Sequence, residues 1–463
     1  MNSRERLVVH SDKCGSLLRR ILIASLGFCA LVLVALRFFA LERAPPGFYL
    51  DEAAIAAQAM CVAETWRSAD GSIGMFAPVL AGGYVTPVTL WLSAGWIHLF
   101  GDTPAAFRAL AAVMGLMSIV AVVFGARAWQ RKSGSWDMLS WGMAVLLVFT
   151  SPWLFHLSRV YWDPIFAVAM WSVALAFWCV WYQMRRPVLL FGLGVFASLA
   201  MLSYPPFRVG VPLSLLVMLL PFRGWRWADW GALVGGGFVG LLPLLDTVGD
   251  GDFWFRSNYL AVWSSYHFQR TGGSLWDVPG MVLRNFALHL DPRFWLLDGD
   301  ANRRHSTGFG GLMSPAEALA LVTLLVLVIR QRLRAEMRIL LLILVGLLPA
   351  ALTWQLPPHA LRGLMAAPAV LLAAVLGVEQ LRQRLPQVAP ALVTALALGF
   401  FGFYANHYFT RYPAVSKDWY DVDTIARWME THEWDQPRQV LSYQYFRMSM
   451  DGESCLAGWE TPP

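Results

Sequence analysis

Eleven long apolar runs constrain this sequence more than any other feature. They lie near residues 21–41, 105–128, 137–157, 165–183, 187–204, 207–222, 228–248, 313–330, 338–355, 361–381 and 389–406. A helix needs about 20 apolar residues to cross a bilayer. The 463 residues are 57% hydrophobic and 14% charged, whereas a soluble domain carries about 25% charged residues. Because the runs are continuous rather than alternating, an outer-membrane barrel is excluded and an all-α polytopic membrane protein is predicted.

Basic residues indicate how these runs are oriented. The formal net charge is +6, but Lys and Arg cluster in short segments between apolar runs, as they do in the cytoplasmic loops of membrane proteins. They do not follow one face of a soluble domain, so no nucleic-acid partner is predicted. The basic N-terminal segment 1–20 is placed in the cytoplasm. The next cytoplasmic loops are then 127–135, 184–187, 222–227, 330–338 and 379–386.

The apolar segment Tyr84–Phe100 is ambiguous because it contains Pro87 and His98 and is barely long enough to span a bilayer. If it crossed, every later basic loop would lie outside, against the positive-inside rule. We therefore predict a juxtamembrane helix in the interface, and about 11 transmembrane helices in all.

This topology divides the chain into a membrane domain, 21–406, and a short extracytoplasmic tail, 407–463. Two long outer loops, 42–104 and 249–312, belong to the membrane domain. Since loops of this length usually carry function and the inner loops are short, chemistry is predicted on the outer face. The five cysteines show no metal-ligand spacing, and a disulfide between Cys61 and Cys455, which fall on the same side, is left open.

Adjacent carboxylates follow the first apolar run. Pro45, Pro46 and Gly47 end the first helix, and Asp51 and Glu52 then open a new one. One interpretation is that these acids simply complement the dipole at a helix N-terminus. The other is that they are functional, since acids at the membrane edge are costly unless they are solvated, paired or used.

Further ionisable and polar groups lie at the same outer ends of the runs. Arginine offers a planar fork of donors that matches phosphate oxygens, so a set of arginines near a carboxylate indicates a site for a phosphate-bearing lipid. For any single arginine, interfacial snorkelling is the alternative. The candidate residues of this outer ring are Arg159, Asp163, Tyr204, Arg208, Arg303, Arg304, His305, His359 and Arg362.

Several short motifs resemble one superfamily. Leu50-Asp51-Glu52-Ala53 resembles the first-loop acidic motif of polyprenol-phosphate-dependent glycosyltransferases with the GT-C fold. Further segments resemble the same superfamily. Those around residues 299–305 and 348–362 are similar to bacterial family-39-like members. These members are relatives of protein O-mannosyltransferases and lipid A aminoarabinose transferases. These segments are Phe100-Gly101-Asp102, Phe107-Arg108, Ser151-Pro152-Trp153, Ser158-Arg159, Gly299-Asp300-x-Asn302-x-Arg304-His305, Leu348-Pro349-Ala-Ala-Leu352-Thr353 and His359-x-x-Arg362.

The resemblance implies roles for particular residues. Asp51 matches the catalytic acid of the first outer loop, Glu52 is its companion, and Asp163 matches a second acidic residue. A divalent metal ion between Asp51 and Asp163 is left open. Asp163 departs from the family pattern, because it lies in Trp-Asp-Pro rather than in an Asp-x-Glu pair, and one or two carboxylates alone make a poor cage for a cation. Binding of the donor phosphate is assigned to Arg303, Arg304, His305 and Arg362. The substrate pocket is assigned to Arg159, Asp163, Tyr204, Arg208 and His359.

These assignments predict an inverting glycosyltransferase in a bacterial inner membrane, acting on the periplasmic face. The donor is a sugar on polyprenyl phosphate, and the acceptor is a hydroxyl of a glycan, a lipid or a protein. Asp51 would accept the hydroxyl proton. The competing hypothesis is a transporter or flippase of lipid-linked sugars, which would place ionisable residues near the bilayer midplane and on both sides.

Overall fold

The computed structural model describes residues 24–68, 74–79, 83–130, 136–220, 224–246 and 257–420. The predicted cytoplasmic segment 1–20, part of the outer loop at 249–256 and the tail at 421–463, which includes Cys455, lie outside the described residues. Cys61 is buried and disulfide-bonded, whereas Cys29 and Cys179 are free thiols. The pairing of Cys61 with Cys455 stays a prediction.

Helices occupy every predicted apolar run, which confirms the helical membrane fold class. Their bounds are α1 (Ala24–Phe38), α4 (Pro104–Trp129), α5 (Met138–Phe149), α6 (Pro152–Leu157), α7 (Asp163–Met184), α8 (Pro187–Ser203), α9 (Phe207–Leu219), α10 (Trp227–Leu241), α14 (Pro315–Gln331), α15 (Arg334–Ala351), α16 (Ala367–Arg384) and α17 (Ala389–Thr410). Among the described residues, 5 helices are long and apolar enough to cross a membrane by themselves. The figure of 11 crossings stays a prediction.

The third apolar run is divided because proline begins its second part. Pro152 is the first residue of α6, where its missing N–H costs nothing, and Ser151 before it is extended.

Smaller elements are inserted between the long helices. They are α2 (Leu50–Thr65), β1 (Ala77–Val79), β2 (Gly83–Val85), α3 (Pro87–Phe100), α11 (Ser265–Thr271), α12 (Val278–Leu290), α13 (Pro292–Leu296) and α18 (Tyr412–Tyr420). The strands β1 and β2 form an antiparallel hairpin, which is a small departure from the all-α prediction. Helix α3 has 14 residues and is about 21 Å long, which is shorter than the roughly 30 Å hydrocarbon core. Its length therefore fits an interface helix.

The centre and the periphery of the bundle differ in their exposure. Helix α16 is the central helix, since 89% of its apolar window is buried, whereas only 17% of the window in α10 is buried. Helix α10 packs closely on α8 through Gly236 and Gly240, where an added Cβ would collide with backbone atoms of α8. Small residues four apart allow such close approach of membrane helices.

The C-terminal end of the described chain returns to the outer loops. Helix α17 continues to Thr410, beyond the predicted domain limit at 406, and α18 follows it directly. The hydroxyl of Tyr412 donates to the carbonyl of Arg303 over 2.7 Å, and the ring of Tyr420 packs edge-on against that of Tyr49. This part of the predicted tail is therefore packed against the site described below.

Candidate active site

Glu52 is a buried structural anchor. Its carboxylate accepts two hydrogen bonds from the Arg108 guanidinium, at 2.9 and 2.8 Å. It also accepts the backbone N–H of Tyr49 at 3.0 Å and that of Tyr161 at 2.9 Å. Because both oxygens are engaged and the side chain is inaccessible, Glu52 cannot reach a substrate. We therefore correct the catalytic role predicted for Glu52 to a structural one.

Arg108 and one further arginine hold the backbone around the first outer loop. The guanidinium of Arg108 donates to the carbonyls of Leu41, Pro45 and Gly47. Arg159 is also fully buried, and it donates to the carbonyls of Leu36, Arg37, Phe39 and Ala44. The carbonyls bound by Arg159 lie in the last turn of α1 and just beyond it, where a helix leaves acceptors without intrahelical donors. The predicted pocket role of Arg159 is therefore corrected to capping of α1.

Asp51 lies next to this anchor but is itself available. It occupies the first turn of α2, where the helix dipole favours an anion. Its side chain is half-buried and, within the described part of the chain, makes no hydrogen bond or ion pair. The contacts of Glu52 fix the backbone of this turn. The Asp51 carboxylate is therefore held in position and can accept a proton, as a general base must.

Asp163 and Arg208 meet at a second corner of the outer face. Asp163 begins α7 and accepts a hydrogen bond from the Thr86 hydroxyl at 3.1 Å. Its carboxylate lies close enough to Arg208, in the first turn of α9, to interact with the arginine charge. Tyr204, at the end of α8, is half-buried and packs edge-on against Phe207. Three of the predicted pocket residues thus lie in one neighbourhood.

Asp300, His305 and His359 form a compact buried group. Asp300 Oδ2 accepts the Nδ1–H of His305 at 3.1 Å and lies 3.8 Å from Nδ1 of His359. The same oxygen accepts the backbone N–H of Ala360 at 2.8 Å, and Oδ1 accepts that of Asn302 at 2.8 Å. The Asp300 carboxylate therefore ties the loop around residue 305 to the loop around residue 360.

Burial and neighbouring charges set the protonation of this group. Burial lowers the pKa of His305, although Asp300 opposes this, and burial together with Arg362 holds the pKa of His359 well below its ordinary value. Burial alone would raise the pKa of Asp300, but His305 and the two backbone N–H groups lower it. At neutral pH the group therefore contains one carboxylate and two neutral imidazoles.

Arg362 is buried beside these histidines. Its guanidinium donates to the Thr353 hydroxyl at 3.0 Å, and to the backbone carbonyl and side-chain oxygen of Gln355 at 3.1 and 3.0 Å. These hydrogen bonds to uncharged groups fix the orientation of the guanidinium. An oriented cation of this kind suits an anionic ligand.

Arg304 connects this region to the first outer loop. Its guanidinium carbon lies 3.8 Å from the centroid of the Tyr49 ring, and Tyr49 directly precedes the helix that carries Asp51. The backbone carbonyl of Arg304 accepts a hydrogen bond from His156 at 2.8 Å. Arg303 is half-buried and is fixed through its own carbonyl by Tyr412.

The outer loops converge through these contacts. Besides Tyr49 and Arg304, the Trp162 ring lies 5.7 Å from that of His305, which places the segment before Asp163 against the histidine group. Most of the predicted site residues therefore belong to one region, with Glu52 and Arg159 buried beneath it. Asp300 lies in one of the sequence motifs, but the motif alone did not predict its role. The structural role of Arg108 was not predicted either, although a charge inside an apolar span needs a partner.

Comparison with known proteins gives structural matches. ArnT from Cupriavidus metallidurans in the apo state, a lipid A aminoarabinose transferase, is 16% identical with a TM-score of 0.51, over 92% of this chain and 75% of ArnT. An Archaeoglobus fulgidus oligosaccharyltransferase tethered with an acceptor peptide is 13% identical with a TM-score of 0.51, over 91% of this chain and 58% of the other. Its apo form is 14% identical with a TM-score of 0.50. The chain spans less than two thirds of that oligosaccharyltransferase.

This chain has the GT-C fold. Both solved proteins share this fold, which confirms the resemblance seen in the sequence and the polytopic membrane architecture. At these identities the likeness shows the fold alone. No protein-family model and no curated protein sequence matches the chain.

Proposed function

We propose that this GT-C protein is a membrane glycosyltransferase that moves a sugar from polyprenyl phosphate to an acceptor hydroxyl. The observation that carries the proposal is the contact between Arg304 and Tyr49. It brings a guanidinium to the start of the helix that carries Asp51. A phosphate leaving group requires a cation and an attacking hydroxyl requires a general base, and this contact brings the two to the same region. The solved proteins of this fold named above are also transferases.

The reaction follows from this arrangement. An acceptor hydroxyl attacks C1 of the sugar from the face opposite the phosphate, so the anomeric centre is inverted. Asp51 takes the hydroxyl proton, the C1–O bond to the phosphate breaks, and the phosphate leaves with the electron pair. Arg304 and Arg362 stabilise the charge that develops on the leaving group, while Asp163 and Arg208 line the sugar-binding side. The general base contributes about 10²–10⁴-fold in rate.

The charge distribution bears on the location of the protein and on the metal ion predicted between Asp51 and Asp163. We place the protein in a bacterial inner membrane with the site on the periplasmic face, because the basic loops are at the opposite end. Asp163 is hydrogen-bonded to Thr86 and lies near the charge of Arg208, so it is a poor cation ligand. No step is therefore derived from a metal ion between Asp51 and Asp163.

The direct test uses purified protein in nanodiscs with a panel of radiolabelled polyprenyl-phosphate sugars. Envelope glycans, lipids and proteins are supplied as acceptors. We expect transfer of the label to one acceptor class, with release of polyprenyl phosphate. Movement of intact lipid-linked sugar across proteoliposome membranes without any transfer would instead indicate a transporter or flippase and would overturn the proposal.

A further inference from the structure

Three metal-binding side chains from two separate loops converge beside the proposed site. Asp300 and His305 come from the loop before α14, and His359 comes from the loop after α15. One donor atom from each lies within 4.8 Å of the others. All three side chains are buried, with exposures of 3%, 6% and 9% in chain order. They are therefore shielded from bulk water and held in place.

The distances fit a small divalent cation. Zinc binds imidazole nitrogen and carboxylate oxygen at about 2.0–2.2 Å, which places neighbouring ligands of a tetrahedral ion roughly 3.3 Å apart. Asp300 Oδ2 lies 3.1 Å from Nδ1 of His305 and 3.8 Å from Nδ1 of His359. The donor atoms all lie within 4.8 Å of one another, so binding of one ion would draw the two imidazoles toward each other. Nδ1 of His359 accepts the backbone N–H of Arg362 at 3.3 Å, and the bond to the ion would replace this hydrogen bond. The proton of His305 would move from Nδ1 to Nε2, so the imidazole remains neutral.

Outer contacts already orient two of these ligands. The backbone N–H groups of Asn302 and Ala360 each bind one oxygen of the Asp300 carboxylate. The backbone N–H of His359 donates to Nε2 of His289 at 2.9 Å, and Nδ1 of His289 donates to the Asn285 carbonyl. Such outer-shell hydrogen bonds fix ligands before an ion arrives.

We propose that Asp300, His305 and His359 bind a divalent cation of the zinc class and leave its fourth position open to a phosphate oxygen. Three protein ligands are typical of zinc sites that bind substrate or water in the remaining position. A divalent ion bound by one carboxylate keeps a net positive charge. The charges of Arg304 and Arg362, which lie nearby, add to it, so the fourth position favours an anion. The phosphate part of this inference rests on the proposed function, whereas the metal site does not.

The first experiment measures metal alone. Chelator-treated protein in nanodiscs is titrated with zinc, and bound metal is counted by mass spectrometry after gel filtration. We expect one ion per chain, with the dissociation constant raised more than about 100-fold by His359→Gln or Asp300→Asn. The matched control is His407→Gln, because His407 contacts the neighbouring Thr307 carbonyl but lies outside the group. Less than a tenth of an ion per chain in the unmodified protein, or unchanged binding in both variants, would overturn the site.

The second experiment needs no variant and therefore survives any folding defect. Cobalt replaces zinc, and its visible absorption reports the geometry of the ligands. We expect a tetrahedral spectrum that changes when inorganic phosphate is added. A tetrahedral spectrum unaffected by phosphate would overturn the open position while leaving the metal site in place. An octahedral spectrum like that of free cobalt would overturn the metal site itself. Neither result depends on glycosyl transfer, so failure here is distinct from failure of the proposed function.

Discussion

Replacing Arg108 by Met tests the structural role given to Glu52. Methionine is apolar and of similar length. The substitution therefore removes five hydrogen bonds and the counter-charge of a fully buried carboxylate while still filling the space. Removing one partner of a buried ion pair costs about 3–5 kcal/mol. The three carbonyls left without a donor add to that cost, at roughly 1–3 kcal/mol for each one that water does not reach. We therefore expect the free energy of unfolding to fall by at least about 3 kcal/mol.

The assay is unfolding by SDS titration in mixed micelles, with three companion variants. Arg108→Lys keeps the charge but loses the planar fork, so its loss should be intermediate. The double variant Arg108→Met with Glu52→Gln should be more stable than Arg108→Met alone, because no buried charge is left unpaired. A loss below about 1 kcal/mol in Arg108→Met would refute the reasoning. So would Glu52→Gln protein that unfolds normally but has lost activity, since Glu52 would then be catalytic.

Further predictions concern binding, pH and topology. Arg362→Ala should raise KM for the donor and lower kcat in steady-state kinetics, and Arg362→Lys should restore only part of the loss; unchanged kinetics in both would remove Arg362 from the site. Because burial lowers the pKa of His359, its unfolded form takes up a proton near pH 6.5 while the folded form does not. Stability should therefore fall on acidification from pH 7 to 5, and His359→Gln should flatten the slope by up to about 1.4 kcal/mol per pH unit; an equally steep slope would contradict this. A membrane-impermeant thiol reagent on intact cells should label Gln269→Cys and spare Gln331→Cys, and the reverse pattern would invert the topology.

The sequence predicts those parts of this protein that depend on local composition. Apolar runs of membrane length became helices because a bilayer leaves the backbone no other way to satisfy its hydrogen bonds. Asp51 could be singled out because the preceding prolines and glycine end a helix immediately before it. The short length of α3 likewise follows from Pro87 and from the charge distribution around it.

The remaining features depend on contacts between distant residues. Glu52 and Arg108 are 56 positions apart, and Asp300 and Ala360 are 60 apart, so no local pattern pairs them. Arg159 could not be distinguished from a ligand-binding arginine by residue type, because its partners are backbone carbonyls that every residue carries. Only the packing of α1 against the segment around Arg159 decides that its guanidinium caps a helix.

The most direct test of the central claim compares two aspartates on the outer face. Asp51, at the start of α2, is a carboxylate that makes no hydrogen bond or ion pair with any residue that the structure describes, and Asp102 is an exposed carboxylate before α4. With the donor and acceptor that the nanodisc transfer assay identifies, Asp51→Asn should lower kcat by about 10²–10⁴-fold while KM for the donor stays within about twofold. Asp102→Asn should retain full activity. Full activity in Asp51→Asn, or equal losses in both variants, would contradict the assignment of Asp51 as the base of a glycosyl transfer.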